Sequence, residues 1–322
     1  MASSKDCVHC GKCTANCEFL KKYNIDIGNT EQLKELAYHC FLCGKCTEVC
    51  PKGIDGRAEV LRLRQERIIA DNEKNEFEKK YKRAISEKCD YIFRNYKHAT
   101  SGAVYFPGCN FPSLYPKTSD YISKLLFEKA GIGTIYECCG KPISDIGFVD
   151  DEKKIMGELE RRLEENQITE LIVACPNCYD YLKDKLEVKV TSIYSKLLEL
   201  GIGKNLDGDR TFFLPCPDRT ERAWLAGIQK FISGECKAIE DVQCCGLGGR
   251  ASSDEPEIAK SFTEKIKKQV SGKIYAYCAS CTGNIKRNGY KGITHILTEI
   301  LETNEEPCTS TSYVNRVATK YK

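Results

Sequence analysis

A chain of 322 residues with 41% hydrophobic content is long enough for two or three small domains with real cores. Its formal charge of +3 is small, and the basic stretch 57–97 alternates sign (Arg57, Glu59, Arg62, Arg64, Glu66, Arg67) as a solvated helix face does, so no nucleic acid is expected as a partner. The N-terminus has no apolar run behind its charges, and no stretch approaches the ~20 apolar residues of a bilayer span. A cytoplasmic protein with no transmembrane segment is therefore expected. Thiols stay reduced there, so the 21 cysteines read as metal ligands and not as a disulfide scaffold.

The first elements in chain order are two cysteine runs. Cys7, Cys10, Cys13 and Cys17, and again Cys40, Cys43, Cys46 and Cys50, follow the bacterial ferredoxin spacing C-x2-C-x2-C-x3-C. In that spacing a tight loop brings three sulfurs to adjacent corners of one cubane, while the fourth cysteine serves the other cluster. One [4Fe-4S] cubane is thus assigned to Cys7, Cys10, Cys13 and Cys50, and a second to Cys40, Cys43, Cys46 and Cys17. Zinc sites favour paired knuckles with four ligands, a poorer match to two complete runs. His9 and His39 stand beside ligands, but cysteine already fills every corner; His98 and His295 suggest no Cys-His catalytic pair.

Between the runs a helix is expected from Thr30 to Ala37, capped at Asn29/Thr30. From Gly56 to about Tyr96 there is neither proline nor glycine beyond the first residue, and Phe77, Tyr81 and Ile85 recur at helical spacing, which predicts one or two long amphipathic helices. Strands, helices and cysteines then alternate twice. Cys109, Cys138-Cys139-Gly140, Cys175 and Cys178 are matched by Cys216, Cys244-Cys245-Gly246, Cys278 and Cys281, with corresponding positions offset by 107, 106 and 103. Strands are expected at 103–106, 134–137, 171–174, 211–214 and 273–277. Helices are expected at about 118–130, 150–166 and 221–232, and one opening near Pro256 with the capping pair Asp254 and Glu257. Each cysteine group follows a strand, so the sulfurs gather at the carboxyl ends of small parallel sheets. Gly246-x-Gly248-Gly249 lacks a full dinucleotide fingerprint and reads as backbone room beside a bulky cluster. Cys89, Cys236 and Cys308 fall outside every motif, and the tail after Thr303 reads as polar and loosely ordered.

The patterns C-x28-CCG-x34-C-x2-C and C-x27-CCG-x31-C-x2-C resemble the duplicated cysteine-rich CCG domain of heterodisulfide reductases, and residues 1 to about 302 look like the D subunit of that family. The resemblance implies an α-helical ferredoxin-like domain (1–56), a helical linker (57–100), two small CCG units related by a pseudo-twofold axis (101–205 and 206–303), and a polar tail (304–322), in an α/β fold overall. It also implies two noncubane [4Fe-4S] clusters, one on Cys109, Cys138, Cys139, Cys175 and Cys178, the other on Cys216, Cys244, Cys245, Cys278 and Cys281. The count becomes four clusters. Relatives with incomplete motifs can hold zinc in one unit, whereas all ten cysteines are present here. Pro217-Asp218-Arg219 departs from the histidine that many relatives carry after the cysteine.

The implied function is a disulfide reductase: electrons enter the cubanes and pass to the noncubane pair, where Cys139 and Cys245 face a small-molecule disulfide across a cleft and Lys141 attracts it if it is anionic. No flavin or nicotinamide motif occurs, so a flavoprotein, ferredoxin or hydrogenase must donate the electrons, and a homo-oligomer remains open. Two other functions compete. One is an electron-transfer subunit of a flavin-dependent hydroxyacid or glycerol-3-phosphate dehydrogenase, and the other a non-enzymatic scaffold holding zinc or iron.

Overall fold

The computed structural model describes residues 2–70 and 73–322. It is a mixed α/β molecule with a helical N-terminal region. Short helices at Lys12–Ala15, Glu18–Tyr23, Thr30–Glu35 and Lys45–Glu48 wrap a small core of Phe19, Leu20, Ile27, Leu33 and Leu63. The linker forms two helices, Gly56–Ile69 and Lys74–Lys88. Asp55 caps the first by accepting from the Arg57 and Ala58 amides, each at 3.0 Å. Helix does not continue to Tyr96 as expected. Residues Asn95–His98 form strand β1 instead, because the unpaired edge of the first sheet offers their backbone a ladder.

That sheet contains β1, β2 (Gly102–Phe106), β3 (Gly133–Tyr136), β4 (Ile168–Val173) and β5 (Lys189–Ser192), in the order β1-β3-β2-β4-β5. All neighbours are parallel except the β1/β3 pair. Val104, Tyr105 and Phe106 lie opposite Leu171, Ile172 and Val173, and none of the six is exposed. The continuous apolar runs reflect a sheet covered on both faces. The helices Pro116–Ala130 and Val149–Glu165 supply Ile122, Leu126, Leu159 and Leu163 to that core. Gly131, in the left-handed region at φ +65°, stops the first of them.

The second sheet contains β6 (Arg210–Phe212), β7 (Cys236–Ala238), β8 (Ile274–Ala276) and β9 (Ile293–His295), all parallel, in the order β7-β6-β8-β9. This order matches β3-β2-β4-β5 of the first sheet. Strands β5, β7 and β9 were not expected from the sequence; they are edge or near-edge strands of three or four residues, too short to show a period. The Pro256–Gln269 helix lacks the expected capping pair, since Asp254 instead pairs with Lys80 at 2.8 Å and no side chain caps its first turn.

Two buried groups join the parts. Arg64, wholly buried, donates to the carbonyls of Ala37 and Cys40 in the N-terminal region, Asp145 in the first unit and Gly249 in the second. Glu255 accepts from Lys22 (2.6 Å) and Tyr23 (2.7 Å) and lies 2.7 Å from His39 Nδ1. The tail is ordered, contrary to expectation. Glu305 accepts from the Lys117 and Thr118 amides, and helix Ser312–Ala318 packs back on the first unit. Hydrogen bonds run both ways: Asn315 of the tail donates to Ser113 O at 3.0 Å, and Asn95 of β1 donates to Thr319 O in the tail at 2.9 Å.

Candidate functional site

The two ferredoxin runs fold alike. His9 and Leu42 both stand at φ +50°, Gly11 and Gly44 at φ +72° and +74°, and one helical turn follows each. These left-handed residues fold the loop back so that the amides of His9 and Leu42 point at Cys7 Sγ and Cys40 Sγ, both at 3.4 Å. Cys7, Cys10, Cys13 and Cys50 line one small cavity. Cys17 comes together with Cys40, Cys43 and Cys46, all buried. Both groupings join the fourth cysteine of one run to the first three of the other. His9 is engaged by Asp26, 2.9 Å from its Nδ1, and His39 by Glu255, so each ring has a carboxylate partner that the local pattern did not reveal.

The ten repeat cysteines form an unbroken line of thiol contacts. In the first unit it runs Cys109 to Cys138, Cys139, Cys178 and Cys175. It crosses to the second unit where Cys175 meets Cys278, then continues to Cys281, Cys245, Cys244 and Cys216. Cys244 also touches Cys43, linking the line to the N-terminal sulfurs. Sharing protons along such a line splits the thiols electrostatically: the Cys138 and Cys178 partners pull Cys139 below the ordinary thiol range, and Cys244 does the same to Cys43. Gly108, at φ +69°, precedes Cys109 where a side chain would stand 3.1 Å from Cys178 Sγ. Gly248 and Gly249 also serve close approach, though to backbone: a side chain on either would strike the Phe41 or Cys40 carbonyl. They admit the second ferredoxin loop where cluster room was expected.

Cys139 and Cys245 are each only 5% exposed; Cys109, Cys175 and Cys216 are the partly exposed members. Gln243 spans the junction with the N-terminal sulfurs, its Nε2 3.6 Å from both Cys17 Sγ and Cys43 Sγ while its Oε1 accepts from the Glu18 amide at 2.7 Å. Arg219, three residues after Cys216, donates to Cys216 Sγ at 3.2 Å and pairs with Glu48 at 3.6 Å. Lys141 is held by both Asp145 oxygens, at 2.7 and 2.6 Å. His295 is buried and its pKa is pushed down to about 3 by that burial, so it is a neutral ring. Beside the first unit's sulfurs stand Lys88, Tyr91 and Arg316, which sequence reasoning missed because they come from the linker and the tail. Burial opposes the charge of Lys88, but the neighbouring Cys109 and Cys138 outweigh it and hold its pKa above the usual lysine value. Cys89, Cys236 and Cys308 lie apart from these sets: Cys89 packs near Ile85, Cys236 begins β7, and the Cys308 amide donates to Leu114 O at 2.8 Å.

All 21 thiols are free. Thiols gathered as two N-terminal sets of four and one line of ten, without a disulfide among them, suit thiophilic iron-sulfur clusters. No helix among the described residues is long and apolar enough to cross a membrane.

Comparison with known proteins agrees with this geometry. Residues 3–54 match the 4Fe-4S dicluster domain, and residues 103–183 and 211–286 each match the cysteine-rich domain. An uncharacterized iron-sulfur protein of Methanococcus maripaludis is 25% identical over 84% of this chain and 63% of its own length. The B subunit of the fumarate reductase (CoM/CoB) of Methanothermobacter marburgensis is 25% identical over 88% of this chain and 67% of its own. The D subunit of the dihydromethanophenazine:CoB–CoM heterodisulfide reductase of Methanosarcina acetivorans is 25% identical over 79% and 73%. The chain thus spans about three fifths to three quarters of these relatives. Among solved structures, a glutamate racemase of Bacillus anthracis aligns with a TM-score of 0.33 at 11% identity over 64% of this chain and 80% of that one, too slight a likeness to bear on the fold. Motifs, sulfur geometry and relatives together identify the chain as an iron-sulfur electron-transfer protein with one 4Fe-4S dicluster domain and two cysteine-rich CCG domains, related to heterodisulfide reductase D subunits.

Proposed function

We propose that this chain is a disulfide reductase working with an electron-donor protein, with cubane ligands on the two ferredoxin runs and noncubane ligands on the two CCG sets. The observation that carries the reading is the contact between Cys175 and Cys278, which brings the two five-cysteine sets face to face. A disulfide has two sulfurs to capture, and paired sites from two units related by a pseudo-twofold axis suit that task. Iron-sulfur clusters on these thiols would store and pass single electrons.

The chain's own residues give the path a direction. Gln243 and the Cys43–Cys244 contact connect the N-terminal sulfurs to the second unit, and Asn177 reaches from the first unit to Cys278 Sγ at 3.5 Å. Access from solvent lies at the partly exposed Cys109, Cys175 and Cys216, not at Cys139 and Cys245. Lys141 is engaged by Asp145, so an anionic disulfide would have to displace that carboxylate to use it. The donor is taken to be a flavoprotein, ferredoxin or hydrogenase, because the chain has no nicotinamide or flavin motif.

Anaerobically purified protein tests the reading in two steps. Four [4Fe-4S] clusters require roughly 16 iron and 16 sulfide per chain, and reduced viologen should then drive disulfide cleavage by the isolated chain. The burial of Cys139 and Cys245 favours a second reading, an electron-transfer subunit of a dehydrogenase. Full iron with inertness toward every disulfide, and activity only beside a flavoprotein, would select it.

A further inference from the structure

The two CCG sets carry the same ligands, but their surroundings differ in charge. Over the first set, Lys88 is 6% exposed and lies between the Tyr91 ring, 4.8 Å away, and Glu87 Oε1 at 2.7 Å. The Glu87 contact is ionic and lacks hydrogen-bond alignment, leaving the ammonium without a hydrogen-bond partner among the described residues. Arg316, from the C-terminal helix, donates to the same Glu87 oxygen at 2.7 Å and to Asn110 Oδ1 at 2.6 Å, next to Cys109. Tyr91, Phe93 and Val317 pack around the buried Cys138 and the partly exposed Cys109 and reduce the water around this group. The charges of Lys88 and Arg316 both act on Cys109. Two cations thus share one carboxylate, Glu87. The second set has Arg219 at Cys216, and that cation is offset by Glu48.

We propose that Lys88 and Arg316 are positioning residues that raise the reduction potential of the first CCG centre above that of the second, so that electrons delivered through Cys244 come to rest on the first. This rests on the reading that both CCG sets hold iron-sulfur clusters. Uptake of one electron adds one negative charge to a centre without making or breaking a protein bond, and a buried cation stabilises that added charge most where water is excluded. The N-terminal centres supply the electron in the protein, and dithionite supplies it in the test. Helix Ser312–Ala318 lies beyond the matched second cysteine-rich domain, so the counter-charge is an addition to the repeat and not a part of it.

The experiment is a redox titration of the full, iron-loaded chain followed by electron paramagnetic resonance. Lys88→Met and Arg316→Met should each move the midpoint of one CCG signal to lower potential and leave the other signal in place. Lys88→Arg should restore it, and Arg219→Met should move only the other signal. Iron per chain is measured for every variant. Should a Met variant lose iron, the remaining Met variant and the charge-preserving Lys88→Arg and Arg316→Lys carry the comparison. Full iron with two unshifted CCG signals in the Met variants would overturn the inference and leave the cluster reading standing. A wild-type chain with only the iron of the two N-terminal centres would remove both.

Discussion

Asn177 Nδ2 donates to Cys278 Sγ at 3.5 Å, joining the proline-flanked turn of the first cysteine-rich unit to the second. Asn177 sits between Cys175 and Cys178, so one short helical start presents the Cys178 sulfur to its own unit and both the Cys175 sulfur and an amide to Cys278 of the other. Replacing it should loosen the junction without removing a ligand. Asn177→Ala is expected to lower disulfide turnover about tenfold, the ~1.4 kcal/mol of one hydrogen bond to a charged sulfur, with iron content unchanged. Steady-state rates beside iron analysis check this, and loss of iron would instead make Asn177 a folding residue.

The two halves of the electron path should fail differently. Cys10→Ser removes an exposed N-terminal ligand and is expected to block electron entry while the CCG signals persist. Cys139→Ser is expected to leave the N-terminal centres reducible and abolish turnover. Spectra of the dithionite-reduced variants separate the outcomes. Identical loss of every signal from both would show that the parts do not assemble independently.

Iron removal should act unevenly along the chain. The sheets carry hydrocarbon cores of their own, with Val104, Phe106, Leu171 and Ile172 in one and Phe212 and Ile274 in the other. The N-terminal region has short helices and a small core built around its cysteines. Chelation under anaerobic conditions is therefore expected to strip amide protection from residues 2–54 first, and hydrogen exchange reads the order. Simultaneous loss in both sheets would contradict it.

Arg64 is the hub between the three parts, and its replacement exposes how they are held. Arg64→Met keeps much of the volume but leaves the buried carbonyls of Ala37, Cys40, Asp145 and Gly249 without their shared donor. A destabilisation of about 3–5 kcal/mol is expected. The urea midpoint of the iron-loaded protein measures it, and a change within error would mean that water replaces the guanidinium.

What could be read from the residues was whatever a short spacing enforces. Three cysteines at C-x2-C-x2-C can share one tight loop, and Gly11 and Gly44 mark the left-handed turns that allow it. The strands at 102–106 and 168–173 announced themselves as apolar runs, since parallel strands covered on both faces have no polar side to alternate with. Edge strands such as Lys189–Ser192 and Cys236–Ala238 did not, being too short for periodicity and decided by which neighbour offered an unpaired ladder. The tail misled for a related reason: Glu305, Asn315 and Arg316 are polar by composition, yet they satisfy buried groups of the first unit and so become part of its structure.

The sequence by itself determined which thiols can serve as ligands, because ligand spacing is a property of a few consecutive residues. Only the tertiary structure decided that Cys43 meets Cys244, that Cys175 meets Cys278, and that Lys88 and Arg316 stand over Cys109. Those contacts join segments far apart in the chain. They depend on how the sheets and helices pack, and packing is set by the whole set of buried side chains at once.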